Sequence, residues 1–197
     1  MGEWLRNIMV LNRDYSKNDV KEMTYKLLEE GRKWQTGQET EVIVFYKPHS
    51  KWIYLYDSFV NGAYWTGGYR GAVKTVAEIF NSTAIYNELF DGDELIMAMA
   101  GETADLYVYG GEGETQYSQL PFQKMEAEKW RHLIDANFAE FKALIDEPDC
   151  YPTEQYHKIA AYFGFDNVLY FCDYDNSDEI DVDHEEKLEE YERIFFF

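Results

Sequence analysis

EVIVFYKPHSKWIYLYDSF, residues 41–59, carries the hydrophobic pattern most diagnostic of the fold class. Two runs rich in aromatic and β-branched residues, Glu41–Lys47 and Lys51–Phe59, flank Pro48-His49-Ser50. Both are apolar at consecutive positions (Val42, Ile43, Val44, Phe45; Trp52, Ile53, Tyr54, Leu55) instead of at every second one. A strand that is apolar toward both sides needs cover on both, so the pair reads as a hairpin inside a covered sheet. Asn61-Gly62, a strong turn signal, leads into a third predicted strand, Ala63–Thr66. After Gly67-Gly68-Tyr69-Arg70-Gly71, the spacing of Val73, Val76, Ala77 and Phe80 predicts a helix.

Working outward, Asn7–Leu11 reads as a short strand. Ser16 reads as the N-cap of a helix through Val20, Met23, Leu27 and Leu28 that stops at Gly31. Downstream, Glu94–Ala100 and Ala104–Tyr109 form a second apolar hairpin around Gly101. The glycine cluster from Gly110 to Gly113 follows, then a short run at Thr115–Ser118. Pro121 is placed to open a helix, and Trp130, Leu133, Ile134, Phe138, Phe141 and Ile145 form one long apolar stripe, ended by Glu147-Pro148. A shift of 53 residues lays these units over one another without a gap, placing Ile43 on Ile96, Tyr54 on Tyr107 and Tyr56 on Tyr109. The expectation is a ββα duplication, 41–90 and 94–146, within a sheet domain spanning 1–150. That gives an α+β fold: an antiparallel or mixed sheet of about six strands, with both repeat helices packed on one face. Residues 151–197 read as an acidic, mainly helical C-terminal segment on the same domain. Thr153 caps a helix through Ile159 and Phe163 to Gly164, Val168–Cys172 is a short apolar run, and Leu188, Tyr191 and Phe195 mark a last helix.

The 197 residues carry 38 Asp+Glu against 18 Lys+Arg, a net charge of −20. Such a field repels phosphate backbones and anionic lipid surfaces, which argues against direct nucleic-acid binding and against membrane attachment. The charge is concentrated: residues 166–192 hold 12 acids and a single base, Lys187. No apolar run approaches the length of a signal peptide or a membrane span, and the two cysteines, Cys150 and Cys172, read as free thiols of a cytoplasmic protein.

Each motif with chemical content fails at a demanding position. The run Asp173 to Asp181 matches a calcium loop at its first, third and ninth places, but Asp178 replaces the turn glycine and His184 the bidentate glutamate. His184-Glu185 begins a zinc-protease pattern, yet Leu188 stands where the second histidine belongs. Glu112 and Glu114 oppose the field a phosphate loop needs, and no Lys-Ser/Thr pair follows the glycines. Cys150 and His157 could form a dyad only if the fold brings them together, and Asp149 disfavours the thiolate. The residues assign no catalytic, cofactor or metal site.

What remains is electrostatic. A strongly acidic surface with aromatic anchors suits a non-enzymatic protein that masks a basic protein partner, such as an immunity protein or an inhibitor of a nucleic-acid-acting toxin or enzyme. The expected contact residues are Asp173, Tyr174, Asp175, Asp178, Asp181 and Asp183. The alternative is a small-molecule or glycan-binding protein, a hydrolase included, that uses the hairpin aromatics Trp52, Tyr54, Tyr56, Tyr64, Trp65, Tyr69, Tyr107 and Tyr109. Phe195, Phe196 and Phe197 at the end of the chain are expected to dock on the protein's own body or to form a homodimer contact.

Overall fold

A computed structural model describes residues 5–34, 42–57, 68–110, 120–135, 137–166, 169 and 190–196. The fold is α+β, with one open antiparallel sheet of seven strands. In chain order the elements are β1 (Leu5–Leu11), α1 (Lys17–Trp34), β2 (Val42–Tyr46), β3 (Trp52–Asp57), α2 (Gly68–Phe80), β4 (Ala84–Phe90), β5 (Glu94–Ala100) and β6 (Asp105–Gly110). They continue with α3 (Ala127–Trp130), a single 3₁₀ turn at Arg131–Leu133, α4 (Phe138–Asp146), α5 (Pro152–Phe163) and β7 (Glu192–Phe196). The strands lie in the order β6-β5-β4-β1-β3-β2-β7.

This order explains where the helices go. β1 and β2 run parallel, with β3 between them; β3 and β4 run parallel, with β1 between them. Each pair is joined by a crossover helix, α1 or α2. The two crossovers step in opposite directions from strands of opposite direction, so crossovers of one hand fall on the same face. Ile8, Val10, Val44, Leu55 and Ala98 pack there against Val20 and Leu27 of α1 and Val73, Val76 and Phe80 of α2. The alternate residues Met9, Phe45, Tyr54, Met97 and Tyr107 face the opposite side, where Trp130, Phe141, Tyr156 and Phe163 of α3, α4 and α5 cover them. Every residue of β2 and of β5 is buried, as their unbroken apolar runs require.

The hairpins β2–β3 and β5–β6 do run in the same direction and order, but the ββα repeat fails. Ile43 pairs with Tyr56, whereas Leu95, not Ile96, pairs with Tyr109. A shift of one residue changes the face, and Ile43 and Ile96 accordingly belong to opposite cores. The helices also lie on opposite faces: α2 is a crossover, while α3 and α4 follow a strand at the sheet edge and fill the other side.

Three further elements differ from expectation. The predicted helix over the Pro121–Ile145 stripe is broken: α3 gives way to a 3₁₀ turn, Ile134 is extended (φ −105, ψ 115), and α4 starts afresh at Phe138. Gln123 meanwhile exchanges two backbone hydrogen bonds with Val108 on β6, which commits that segment to an extended path. β4 was not foreseen, because Asn87 and Glu88 interrupt its apolar pattern; both are buried, opposite Asn7 and Arg6 on β1. The last helix is a strand at its end: Glu192–Phe196 pairs along the whole of β2. Phe196 is buried there with its ring edge-on to Tyr25, while Phe195, opposite Ile43, stays 47% exposed. The predicted strands Ala63–Thr66 and Thr115–Ser118 lie outside the described residues.

α1 is capped reciprocally: Asp19 N–H donates to Ser16 Oγ (3.2 Å) and Ser16 N–H to Asp19 Oδ2 (2.9 Å). It runs through Gly31 to Trp34 instead of stopping there. α5 ends as predicted at Gly164, left-handed at φ 66.

Candidate functional site

The contact residues expected from sequence, Asp173, Tyr174, Asp175, Asp178, Asp181 and Asp183, lie outside the described residues, as does the calcium-like run that contains them. The described residues at the two ends of the acidic segment are Phe165, Asp166 and Leu169 after α5, and Glu190 and Tyr191 before β7. Phe165 packs edge-on against Trp52 at 4.9 Å, and the Asp166 N–H donates to the Tyr54 hydroxyl at 2.6 Å. Leu169 is fully buried and its carbonyl accepts from the Tyr56 hydroxyl at 2.5 Å. At the other end Glu190 is ion-paired with Lys47, and the Tyr191 ring stands edge-on to Tyr54 at 6.0 Å. The Tyr191 hydroxyl lies 3.5 Å from Asp166 Oδ2, and Lys47 Nζ sits 5.6 Å from the centre of the Tyr191 ring. The two described ends therefore meet in one place, built on Tyr54 in the middle of β3.

At this junction Tyr54 is buried, Asp166 and Tyr191 are half-buried, and Glu190 is exposed. Burial pushes the Tyr54 phenol far above its ordinary range. Burial, with the neighbouring Asp166 carboxylate, pushes Tyr191 up to about 12. Both phenols stay protonated and able to donate at any physiological pH. Exposed Glu190 is held below the ordinary carboxylate range by its hydrogen bond to Lys47.

A second feature was not foreseen, a groove of about 740 Å³ between α2 and the strand ends at β5 and β6. Its floor is made of small apolar side chains, Ala77, Ala98 and Ala100 among them, which leave room that larger residues would fill. Its rim is charged but internally matched: Arg13 with Glu102 (3.0 Å), Lys74 with Glu78 (3.8 Å), and Lys129 with Glu126 (2.6 Å). Gly101 closes one end at φ +145, where a Cβ would fall 2.8 Å from Thr83 Cα.

Of the hairpin aromatics offered for a sugar-binding face, four are committed to the core and Tyr109 is half-buried at its margin. Trp52, Tyr54, Tyr56 and Tyr107 are all buried beneath α3–α5. Their polar ends are occupied: Trp52 Nε1 donates to the Phe163 carbonyl (2.8 Å), and Gln155 Nε2 donates to the Tyr107 hydroxyl (3.3 Å). Tyr64 and Trp65 lie outside the described residues. Cys150 is a free thiol that donates to Gln155 Oε1 at 3.3 Å. Among the described residues no three His, Cys, Asp or Glu side chains converge on a metal position, and no helix is long and apolar enough to cross a membrane.

The remaining buried polar pairs hold the sheet together. Arg6 and Glu88 form an ion pair across β1 and β4; burial raises the Glu88 carboxyl while Arg6 opposes that shift. One register step away, Asn87 Nδ2 donates to Asn7 Oδ1 at 3.1 Å. A polar pair buried on each face penalises any slip of β1 against β4, because a slip would leave these groups unmatched. No family model, curated protein or solved structure matches the chain.

Proposed function

We propose that the protein is a non-enzymatic binding protein that masks a basic protein partner with its acidic segment, in the manner of an immunity protein or an inhibitor of a nucleic-acid-acting enzyme. The observation that carries this reading is the junction on Tyr54. Asp166 and Tyr191, the described residues that bracket the segment, come within 3.5 Å of each other on a buried strand of a seven-stranded sheet. Binding loops are characteristically displayed in this way, from a rigid scaffold with both ends fixed. Fixed ends also lower the ordering cost that association must overcome. The charge supplies attraction and speed, since 12 acids against Lys187 alone within 166–192 give a strong directional field.

The small-molecule reading is less well supported. Its groove pairs acids with bases along the rim, so it presents no net sign to select a ligand, and Trp52, Tyr54, Tyr56 and Tyr107, which it would use, are packed in the core. The test is affinity capture from the native host, at low and high salt, with wild type and a variant carrying Asp→Asn at 173, 175, 178, 181 and 183. The reading predicts a basic partner that wild type retains at low salt, releases at high salt, and that the variant fails to retain. Equal capture by both proteins would overturn the assignment of the segment.

A further inference from the structure

Toward the β6 edge of the sheet, on the same face as the acidic segment's junction, four pieces of chain meet at the end of β6. The Tyr109 hydroxyl donates to the Cys150 carbonyl, and its ring lies 6.4 Å from that of Phe122 at an angle of 66°. The turn between β4 and β5 packs against the start of α5: Thr153 Oγ1 donates to the Gly92 carbonyl at 3.2 Å. Gly110 sits between them at φ +84, so tightly that a Cβ would fall 2.2 Å from the Asp93 carbonyl oxygen and 2.4 Å from Pro152 Cγ. The framework is rigid, and what it displays is unexpected for a fold-stabilising role.

Tyr151 is 78% exposed and Phe122 53% exposed. Tyr151 occupies the N-cap of α5 and makes no side-chain capping hydrogen bond there. Ser, Thr, Asp or Asn at that position would satisfy a helix N–H, so an exposed aromatic contributes neither a cap nor burial to the fold. A residue that breaks a local rule without a structural return is the mark of a functional position. The surrounding charge has one dominant sign. Asp149 and Glu154 are both exposed and both ion-paired with Lys158, at 3.8 and 3.0 Å. One flexible lysine already bridges these acids, which shows that the corner accommodates a cation between the carboxylates.

Exposed aromatic faces beside carboxylates suit one chemistry above others. A planar guanidinium can stack on the ring while its N–H fork bonds the acid, which the compact ammonium of lysine does less well. We propose that Tyr109, Phe122 and Tyr151, with Asp149 and Glu154, form a second docking surface that receives arginine side chains of the basic protein partner. This rests on the proposed masking function and gives it aromatic anchors of the kind that dominate interface energetics.

The test uses the full chain and three short peptides of the form acetyl-Gly-X-Gly-X-Gly-amide, with X arginine, lysine or glutamine, followed by ¹H–¹⁵N NMR. The arginine peptide is expected to shift the amides of Asp93, Gly110, Tyr151 and Glu154, to bind roughly threefold more tightly than the lysine peptide, and to leave the glutamine peptide without effect. Tyr151→Ala should cost roughly threefold in affinity for the arginine peptide alone, with the rest of the spectrum unchanged. Equal affinity for arginine and lysine, or an unaltered affinity in Tyr151→Ala, overturns the proposal. Shifts confined to residues 173–189 also overturn it and leave the acidic segment as the binding site. Shifts at this corner with none in 173–189 support it and count against the segment.

Discussion

Replacing Tyr54 with Phe removes one oxygen from the point where the acidic segment joins the body, and the consequence has two parts that can be read separately. The ring stays, so no cavity opens. What is lost is the acceptor for the Asp166 N–H at 2.6 Å, together with the polar edge facing Tyr191. A partly buried amide left without an acceptor costs about 1–3 kcal/mol, and that is the destabilisation expected at pH 8. The second part concerns protons. Burial raises the Tyr54 phenol far above its ordinary value, so the folded state keeps its proton at a pH where the unfolded chain, with a tyrosine pKa of about 10, releases it. Stability from this group is therefore fully present below about pH 10. Above it, that stability is lost at about 1.4 kcal/mol per pH unit until the folded value is reached. Phe has no proton to release, so the gap between wild type and variant should shrink at that slope and close about one to two units above pH 10. Urea unfolding followed by circular dichroism at pH 8, 10 and 11 measures both parts. A variant as stable as wild type at pH 8, or a gap that stays constant to pH 11, would refute the reasoning.

Gly110→Ala should destabilise by at least about 2 kcal/mol, because its Cβ meets backbone and a proline ring, whereas Gly164→Ala, with nothing within 4 Å, should cost only the left-handed strain of about 1–2 kcal/mol; urea midpoints compare the two. Phe196→Ala should cost about 3 kcal/mol and Phe195→Ala less than about 1 kcal/mol by thermal melts, since only the first ring is buried in the docked strand. Asp105→Ala removes the acceptor of both Trp130 Nε1 (2.6 Å) and the Glu126 N–H (2.8 Å), and should lower stability by about 2–4 kcal/mol while quenching or shifting the tryptophan fluorescence.

The sheet was legible in the sequence wherever local pattern and tertiary role agree. The strands β2, β3, β5 and β6 are unbroken apolar runs because both their faces are covered, and α1 announces itself through Ser16 and Asp19. β4 was hidden because Asn87 and Glu88 sit inside it, and only their partners Asn7 and Arg6, some eighty residues away, make those positions compatible with burial. β7 was read as helix from the spacing of Leu188, Tyr191 and Phe195. Pairing with the outer side of β2 overrides that spacing for a five-residue stretch. The duplication failed for a related reason: a loop one residue shorter in the second hairpin leaves the gapless alignment intact in sequence but turns the strand over in space. Of the candidate site, sequence identified the charge and its location. The Tyr54–Tyr191–Asp166 junction depends on contacts across more than a hundred residues, and no local pattern encodes it.

The proposed binding of a basic protein by the acidic segment is open to test through the salt dependence of one equilibrium. With the captured partner purified, its dissociation constant is measured for wild type and for the Asp→Asn variant at 173, 175, 178, 181 and 183 over a series of ionic strengths. Wild-type affinity is expected to fall steeply with added salt, mainly through a slower association rate, and the variant to bind weakly at every salt concentration with little slope. Wild type and variant curves that coincide would contradict it.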